Sequence, residues 1–326
     1  MLTRALKSDR AGSRQMSVPV AVIDDYQDVA RSSADWSRLP EDVEVTFFQS
    51  PCGTEDELVD RLEPFEIVGV MRERTAFPRT VLARLPNLRL LASTGRRNAA
   101  IDMLAAEELG IAVSSTSSPG HATAELTMAL ILSLSRGLAG ESRSVVEGGW
   151  QVGIGRDLRG ANLGLVGLGK LGSQVARLAA GFGMKVGAWS ENLTAERCAA
   201  VGAAKVSRSD LFSQSDFVSI HLRLSERTIR LVSDSELEMM RPDAYLVNTS
   251  RAAIVDVEAL VRAVESGAIA GAALDVFDHE PLPPGHRLRN TPGILATPHI
   301  GYVTRETYEV FYGEMVDAIA AYLRDR

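Results

Sequence analysis

The chain has 326 residues, of which 45% are hydrophobic and 24% charged, and its net charge is −7 at pH 7. This length allows two domains with a substantial core, and the mildly acidic balance argues against a nucleic-acid surface or a basic membrane anchor. Its two cysteines and five histidines have neither CxxC nor HExxH spacing, so we expect no disulfide framework and no metal site.

The first 16 residues carry several basic side chains but no apolar stretch of signal-peptide length. We interpret residues 1–16 as a disordered extension or the product of an upstream start codon, with a transit peptide as the alternative. The apolar run at 126–134 is well short of the roughly 20 residues that span a bilayer. We therefore expect a cytoplasmic protein with no membrane partner.

From residue 18 to about 116, short apolar runs alternate with amphipathic stretches, which is typical of parallel strands joined by helices. Helices are predicted at 54–62, 79–84 and 100–108. Buried strands are predicted at 18–23, 43–48, 66–71, 88–93 and 111–116.

An apolar helix predicted at 121–137 leads into a second alternation of the same kind. Its predicted helices lie at 170–182 and 259–267, and a last helix lies at 304–323. Its predicted strands lie at 162–167, 184–190, 217–222, 244–250 and 271–277. The spacing within the helix at 170–182 predicts one common face for Leu171, Val175, Leu178, Ala179 and Phe182.

A glycine-rich turn joins the strand and helix that open this second alternation. Gly167, Gly169 and Gly172 satisfy GxGxxG in the strand-to-helix setting that dinucleotide binding requires. Such a turn brings backbone close to a pyrophosphate and presents the N–H groups of a helix N-terminus to it. The sequence therefore predicts a nicotinamide dinucleotide, NAD or NADP, here, and a purely structural turn is the alternative.

The residue after the second strand of this unit commonly reads the adenosine ribose, and an acidic side chain there favours NAD. Ser190 occupies that position, followed by Glu191. Serine removes the carboxylate that would repel a 2′-phosphate, but no arginine occurs within the next six residues and Glu191 would oppose a phosphate. We predict NAD, with NADP as the alternative.

Three polar residues follow later strands of the same predicted sheet, and their chemistry is complementary. Arg251 can bind a carboxylate through a bidentate fork, and His299 can transfer a proton near neutral pH. Glu280 can fix the tautomer of a histidine and favour its protonated form. The alternatives are a surface ion pair for Arg251 and a core histidine for His299. Arg72 and Arg74 are interpreted as part of a solvated face, and a place at the mouth of the substrate site is the alternative.

Several ordered motifs make the chain similar to the D-isomer-specific 2-hydroxyacid dehydrogenases. They are VGLGKLG (166–172), VNTSRAAIVD (247–256), GAALDVFDHEPL (271–282) and TPHIGYVT (297–304), and the similarity runs from about residue 18 onwards. The resemblance implies an α/β fold in which a Rossmann-type doubly wound parallel sheet domain accompanies a smaller flavodoxin-like α/β substrate domain. The substrate domain would comprise 17–118 and 303–326, and the dinucleotide-binding domain 119–302.

The resemblance also implies a function and a set of roles. The expected reaction moves a hydride between the cofactor and a 2-keto acid/D-2-hydroxy acid pair, in a homodimer. Arg251 would bind the substrate carboxylate and carbonyl, and His299 with Glu280 would act as acid and base. Gly95 and Arg96 would bind substrate, although Arg97 replaces a second glycine usual in that loop. Cofactor contacts are expected from Gly167, Gly169, Lys170, Leu171, Gly172, Ser190, Thr249 and Asp275.

Two other functions remain open from the sequence. A non-enzymatic NAD(H)-sensing interaction protein on the same fold would keep the same three polar residues, and a catalytically dead dimeric scaffold is a third interpretation. Within the family, Glu280 argues against the formate dehydrogenases, which carry glutamine there. A reductase of short 2-keto acids such as glyoxylate or hydroxypyruvate fits the resemblance.

Overall fold

The computed structural model describes residues 17–326, and the extension predicted at 1–16 lies outside the described residues. The strands are β1 Val18–Val22, β2 Val43–Phe47, β3 Ile67–Val70, β4 Leu90–Ser93, β5 Ala112–Ser115, β6 Asn162–Val166, β7 Lys185–Trp189, β8 Ala204–Lys205, β9 Phe217–Ile220, β10 Tyr245–Asn248, β11 Gly271–Leu274 and β12 Ile294–Ala296. The α-helices are α1 Ala30–Ser33, α2 Glu55–Leu62, α3 Arg79–Leu82, α4 Met103–Glu108, α5 His121–Arg136, α6 Leu138–Val146, α7 Lys170–Gly181, α8 Ala195–Ala199, α9 Arg208–Gln214, α10 Asp234–Met239, α11 Val257–Glu265 and α12 Arg305–Arg324.

Backbone contacts divide the chain into two compact units. Of the described residues, the first unit contains 17–118 together with Arg305–Arg326, and the second contains Pro119–Thr304. The sequence-based division has the same first boundary and a slightly earlier second one, at 302/303. The assignment of substrate binding to the first unit stays a prediction.

The first unit is built on a five-stranded parallel sheet in the order β2-β1-β3-β4-β5. This is the flavodoxin-like order. Every residue of the central strands β3 and β4 is buried, as expected for parallel strands covered on both faces. Helix α12 returns to this unit from the end of the chain and lies against β4, with Phe311 and Tyr312 buried.

The second unit contains a seven-stranded parallel sheet in the order β12-β11-β10-β9-β6-β7-β8. Numbered from β6, this is the Rossmann order 3-2-1-4-5-6 with a seventh strand added at one edge. The predicted fold class is confirmed. The strand order reverses between β6 and β9, and the carboxyl ends at such a point form the usual binding crevice of an open α/β sheet.

The buried face of α7 differs from the predicted one. Gly172, Val175, Ala176 and Ala179 are buried, whereas Leu178 and Phe182 are 38% and 43% exposed. The prediction followed the larger apolar side chains. The helix instead turns its small residues towards its neighbours, which allows a close approach to the strand before it.

Within residues 17–326, no helix combines the length and the apolar character needed to cross a bilayer.

Candidate active site

The glycine-rich turn lies between β6 and α7, at the point where the strand order reverses. Gly167 has φ +102°, and a Cβ built there would lie 2.8 Å from the carbonyl oxygen of His221, so both conformation and space require glycine. A Cβ at Gly172 would collide with the carbonyl oxygen of Gly167. A Cβ at Gly169 would meet no atom within 4 Å, so this side of the turn is open. A turn packed closely beneath and open above fits a dinucleotide pyrophosphate, which would meet the first N–H groups of α7 at Lys170 and Leu171.

The end of β7 is hydrogen-bonded to this turn. The N–H of Gly167 donates to the carbonyl oxygen of Trp189 at 2.8 Å, which places Ser190 beside the turn. Ser190 is half-buried, and the exposed Glu191 follows it. The predicted ribose position is therefore adjacent to the predicted pyrophosphate position.

Thr249 and Arg251 follow β10 and are held by local hydrogen bonds. The hydroxyl of the buried Thr249 lies 2.9 Å from that of Thr127 on α5. Asn248 Nδ2 donates to the carbonyl oxygen of Arg251 at 2.9 Å, and Arg251 Nη1 donates to the carbonyl oxygen of Ser250 at 2.8 Å. The guanidinium of Arg251 thus extends from a fixed backbone.

Asp275 follows β11 and organises the loop that carries His299. It is 1% exposed and accepts three hydrogen bonds, from Thr297 Oγ1 at 2.7 Å, Ile300 N at 2.9 Å and Gly301 N at 2.8 Å. Burial raises the pKa of this carboxyl, and the hydrogen bond from Thr297 is the largest of the effects that oppose the rise. A buried acid satisfied by three donors is a rigid attachment point.

His299 and Glu280 form a direct pair. His299 Nδ1 lies 2.6 Å from Glu280 Oε2, with side chains 22% and 25% exposed. Glu280 Oε1 accepts the N–H of Phe277 at 2.9 Å, and His299 has φ +52°, an uncommon conformation for a residue with a side chain. Because a carboxylate only accepts hydrogen bonds, Nδ1 carries the hydrogen in this pair, and Nε2 remains to exchange a proton.

His221 lies beneath the glycine-rich turn and is not part of the His299–Glu280 pair. Its Nε2 is 2.9 Å from Ser219 Oγ, and its N–H donates to the carbonyl oxygen of Val166 at 2.8 Å. Burial lowers the pKa of His221 to about 4. The imidazole is therefore neutral at physiological pH and supports the turn.

We expect His221 to make the protein less stable in mild acid. Its pKa is lower in the folded chain than in the unfolded chain, so the unfolded chain binds the proton first as pH falls below about 6.5. Between pH 7 and pH 5 this should cost about 2 kcal/mol of unfolding free energy, and His221→Asn should remove that part of the loss. Urea unfolding at both pH values measures it, with His279→Asn, an exposed histidine, as the control. Equal losses in wild type and His221→Asn would contradict the assignment.

The predicted substrate residues of the first unit lie in the loop after β4. Gly95 is buried, and its N–H donates to Thr116 Oγ1 at 2.7 Å, so this N–H is already engaged. Arg96 is exposed. If the loop binds a carboxylate through backbone donors, they come from Arg96 or later residues.

Arg72 and Arg74 do not form the solvated face expected from sequence. Arg72 pairs with Glu73 at 3.3 Å, with only 19% of its side chain exposed. Arg74 donates to the carbonyl oxygen of Asp24 at 2.5 Å and to the Tyr308 hydroxyl at 3.0 Å. Arg74 therefore connects the end of β1 to α12 through hydrogen bonds. No sequence pattern predicts this structural role.

Comparisons with known proteins agree with this arrangement. A family model described as D-isomer specific 2-hydroxyacid dehydrogenase, NAD binding domain, matches residues 128–301. Glyoxylate reductase of Aeropyrum pernix is 41% identical over 239 residues, which cover 70% of this chain and 71% of that protein. D-3-phosphoglycerate dehydrogenase of Synechocystis sp. is 35% identical over 256 residues, 78% of this chain but 46% of that protein. A solved structure of phosphoglycerate oxidoreductase from Vibrio cholerae o395 has a TM-score of 0.90 at 34% identity and covers 95% of this chain and 100% of that chain.

The chain belongs to the D-isomer-specific 2-hydroxyacid dehydrogenases. This membership confirms the predicted family, the enzymatic interpretation over the NAD(H)-sensing alternative, and NAD as the cofactor. In this dehydrogenase, the predicted catalytic and cofactor residues all belong to the second unit, whereas Gly95 and Arg96 belong to the first.

Proposed function

We propose that the chain reversibly reduces a short 2-keto acid to the D-2-hydroxy acid, with His299, Glu280 and Arg251 as the residues that carry the reaction. The observation that supports this most directly is the 2.6 Å contact between His299 Nδ1 and Glu280 Oε2. When bound, the nicotinamide supplies the hydride for reduction and accepts it in oxidation.

His299 is the proton donor in reduction. The Glu280 carboxylate accepts the hydrogen of Nδ1 and fixes the orientation of the ring, so Nε2 is the atom that can deliver a proton to the carbonyl oxygen of the keto acid. In oxidation, Nε2 takes the hydroxyl proton back. Because Asp275 accepts both the Ile300 and Gly301 N–H groups, the imidazole is held on a fixed backbone.

Arg251 binds and polarises the substrate. Its planar guanidinium can bind the substrate carboxylate and stabilise charge that develops on the carbonyl oxygen. A carboxylate has about four acceptor positions, of which Asp275 uses three. The remaining position is available for the carboxamide of the nicotinamide.

NADH oxidation followed at 340 nm against a panel of 2-keto acids tests the proposed function. The panel begins with glyoxylate, which the name of the Aeropyrum pernix relative suggests, and includes hydroxypyruvate, pyruvate and longer keto acids. Turnover of at least one member is the expected result. No turnover with any member, by protein that binds NADH, would contradict the proposed reaction.

A homodimer is part of this proposal. The segment 138–154 of the second unit exposes several large apolar side chains, and an exposed cluster of this kind usually marks a protein interface. A second copy of the chain is the proposed occupant, in line with the resemblance. The exposed side chains are Leu138, Val145, Val146, Trp150, Val152 and Ile154.

Trp150→Glu is expected to convert the dimer to a monomer, because a carboxylate would be buried without a partner in the proposed interface. Trp150 is 73% exposed in the single chain. Light scattering after size-exclusion chromatography measures the mass. The control is Leu104→Glu, which changes an equally exposed apolar residue of the first unit (72%) and should leave the dimer intact. A wild-type monomer would refute the dimer.

The proposed location is the cytoplasm. Cys52 and Cys198 are free thiols, and free thiols are usual in reducing compartments. Fractionation of cells followed by immunodetection tests the location.

A further inference from the structure

Arg197 places a positive charge next to the glycine-rich turn. The sequence spacing does not predict this proximity. It lies on α8, seven residues after Ser190, and its Nη2 is 3.4 Å from the carbonyl oxygen of Leu168, the residue between Gly167 and Gly169. The chain is folded back at this point by two contacts. Leu193 N donates to the carbonyl oxygen of Ser190 at 3.0 Å, and Thr194 caps α8 by accepting the N–H of Arg197 at 3.3 Å.

Ser190 and Arg197 thus approach the same turn from the two ends of one short loop. Ser190 directly follows Trp189, whose carbonyl oxygen accepts the N–H of Gly167, and Arg197 contacts Leu168. Serine at the ribose position does not repel a 2′-phosphate, and an arginine nearby is what a 2′-phosphate needs.

The guanidinium of Arg197 has donors to spare. A distance of 3.4 Å is long for a hydrogen bond, so little is lost if the side chain shifts towards an anion. Arg197 is exposed, so its guanidinium is accessible to an anion. Of its five N–H donors, the contact to Leu168 uses one.

We infer that Arg197 binds the 2′-phosphate of NADP(H), so that the chain accepts NADPH as well as NADH. This rests on the proposed placement of the adenosine ribose at Ser190. The serine hydroxyl can also bond the unmodified ribose of NADH, and the exposed Glu191 opposes a phosphate. These two groups give dual use of the cofactors instead of strict preference for NADPH.

Equilibrium binding separates this inference from catalysis. NADH and NADPH are titrated against the full chain while tryptophan fluorescence is followed, since Trp189 adjoins Ser190. We expect the wild-type dissociation constants to lie within about tenfold of each other. Arg197→Ala should weaken NADPH binding about tenfold and leave NADH within about twofold.

Two further variants sharpen the test. Arg177→Ala removes an exposed arginine from α7 with the same change of net charge, and it should leave both affinities unchanged. Glu191→Gln should tighten NADPH binding about threefold because it removes a repelling charge. Titration with 2′,5′-ADP and 5′-AMP repeats the comparison for the adenosine half alone.

The possible failures are distinguishable. If NADH binds but NADPH binds more than about tenfold more weakly, or if Arg197→Ala leaves NADPH affinity unchanged, the role of Arg197 is overturned and the proposed reaction stands. If neither NADH nor 5′-AMP binds, the placement of the cofactor at this turn is itself wrong.

Discussion

His299→Ala is expected to lower kcat for 2-keto acid reduction by a factor of about 10³ or more, because Nε2 of His299 is the proposed proton donor. The loop backbone is held by Asp275 through Ile300 and Gly301 and should survive the change. NADH affinity should therefore stay within about twofold of the wild-type value. Stopped-flow or steady-state loss of NADH absorbance measures kcat, and fluorescence titration measures NADH binding.

His279→Ala is the matched control for this prediction. His279 adjoins Glu280 in the sequence but is exposed, so its removal should leave kcat near the wild-type value. If His299→Ala retains kcat, or if His279→Ala loses it, the acid–base assignment is wrong.

Arg251→Ala is expected to lower kcat/KM for the keto acid by a factor of about 10³, since both carboxylate binding and stabilisation of charge on the carbonyl oxygen would be lost. Much of the loss should appear in KM. Arg251→Lys keeps the charge but not the planar fork, and should recover only part of the activity. Steady-state kinetics with varied keto acid at saturating NADH measures both constants.

Arg262→Ala is the control for Arg251. Arg262 forms an exposed ion pair with Asp234 at 2.8 Å, and such pairs contribute little to stability, so kcat/KM should not change. Unchanged kinetics in Arg251→Ala, with folding verified by circular dichroism, would exclude Arg251 from substrate binding.

Long apolar runs and ordered motifs made much of this molecule predictable from its sequence. The strands at the centre of both sheets are buried on two faces, so they appear as apolar segments that end in turn residues, and the predicted strands at 66–71 and 244–250 include β3 and β10. The motifs predict that Glu280 pairs with His299. In the structure, Glu280 Oε2 lies 2.6 Å from His299 Nδ1.

Short elements and distant partners were not predictable in this way. β8 has two residues and α8 has five, too few for a periodic pattern to emerge. Arg197 lies seven residues after Ser190, too far along the chain for the local pattern to connect the two, and only the fold of α8 brings it back to the glycine-rich turn. Arg74 was misassigned because its partner Tyr308 is 234 residues away along the chain, and no local pattern reports such a contact.

The division of the chain into two units has a consequence for how this enzyme can evolve. Arg251, Asp275, Glu280 and His299 come from a single stretch of the second unit. Glu280, His299 and the Asp275 carboxylate are joined to this stretch by hydrogen bonds within the same unit. The loop at Gly95 belongs to the other unit. Under the proposed roles, mutations in that loop would alter which keto acid is accepted and leave the proton-transfer residues unchanged. Substrate specificity could then change in small steps through intermediates that remain active.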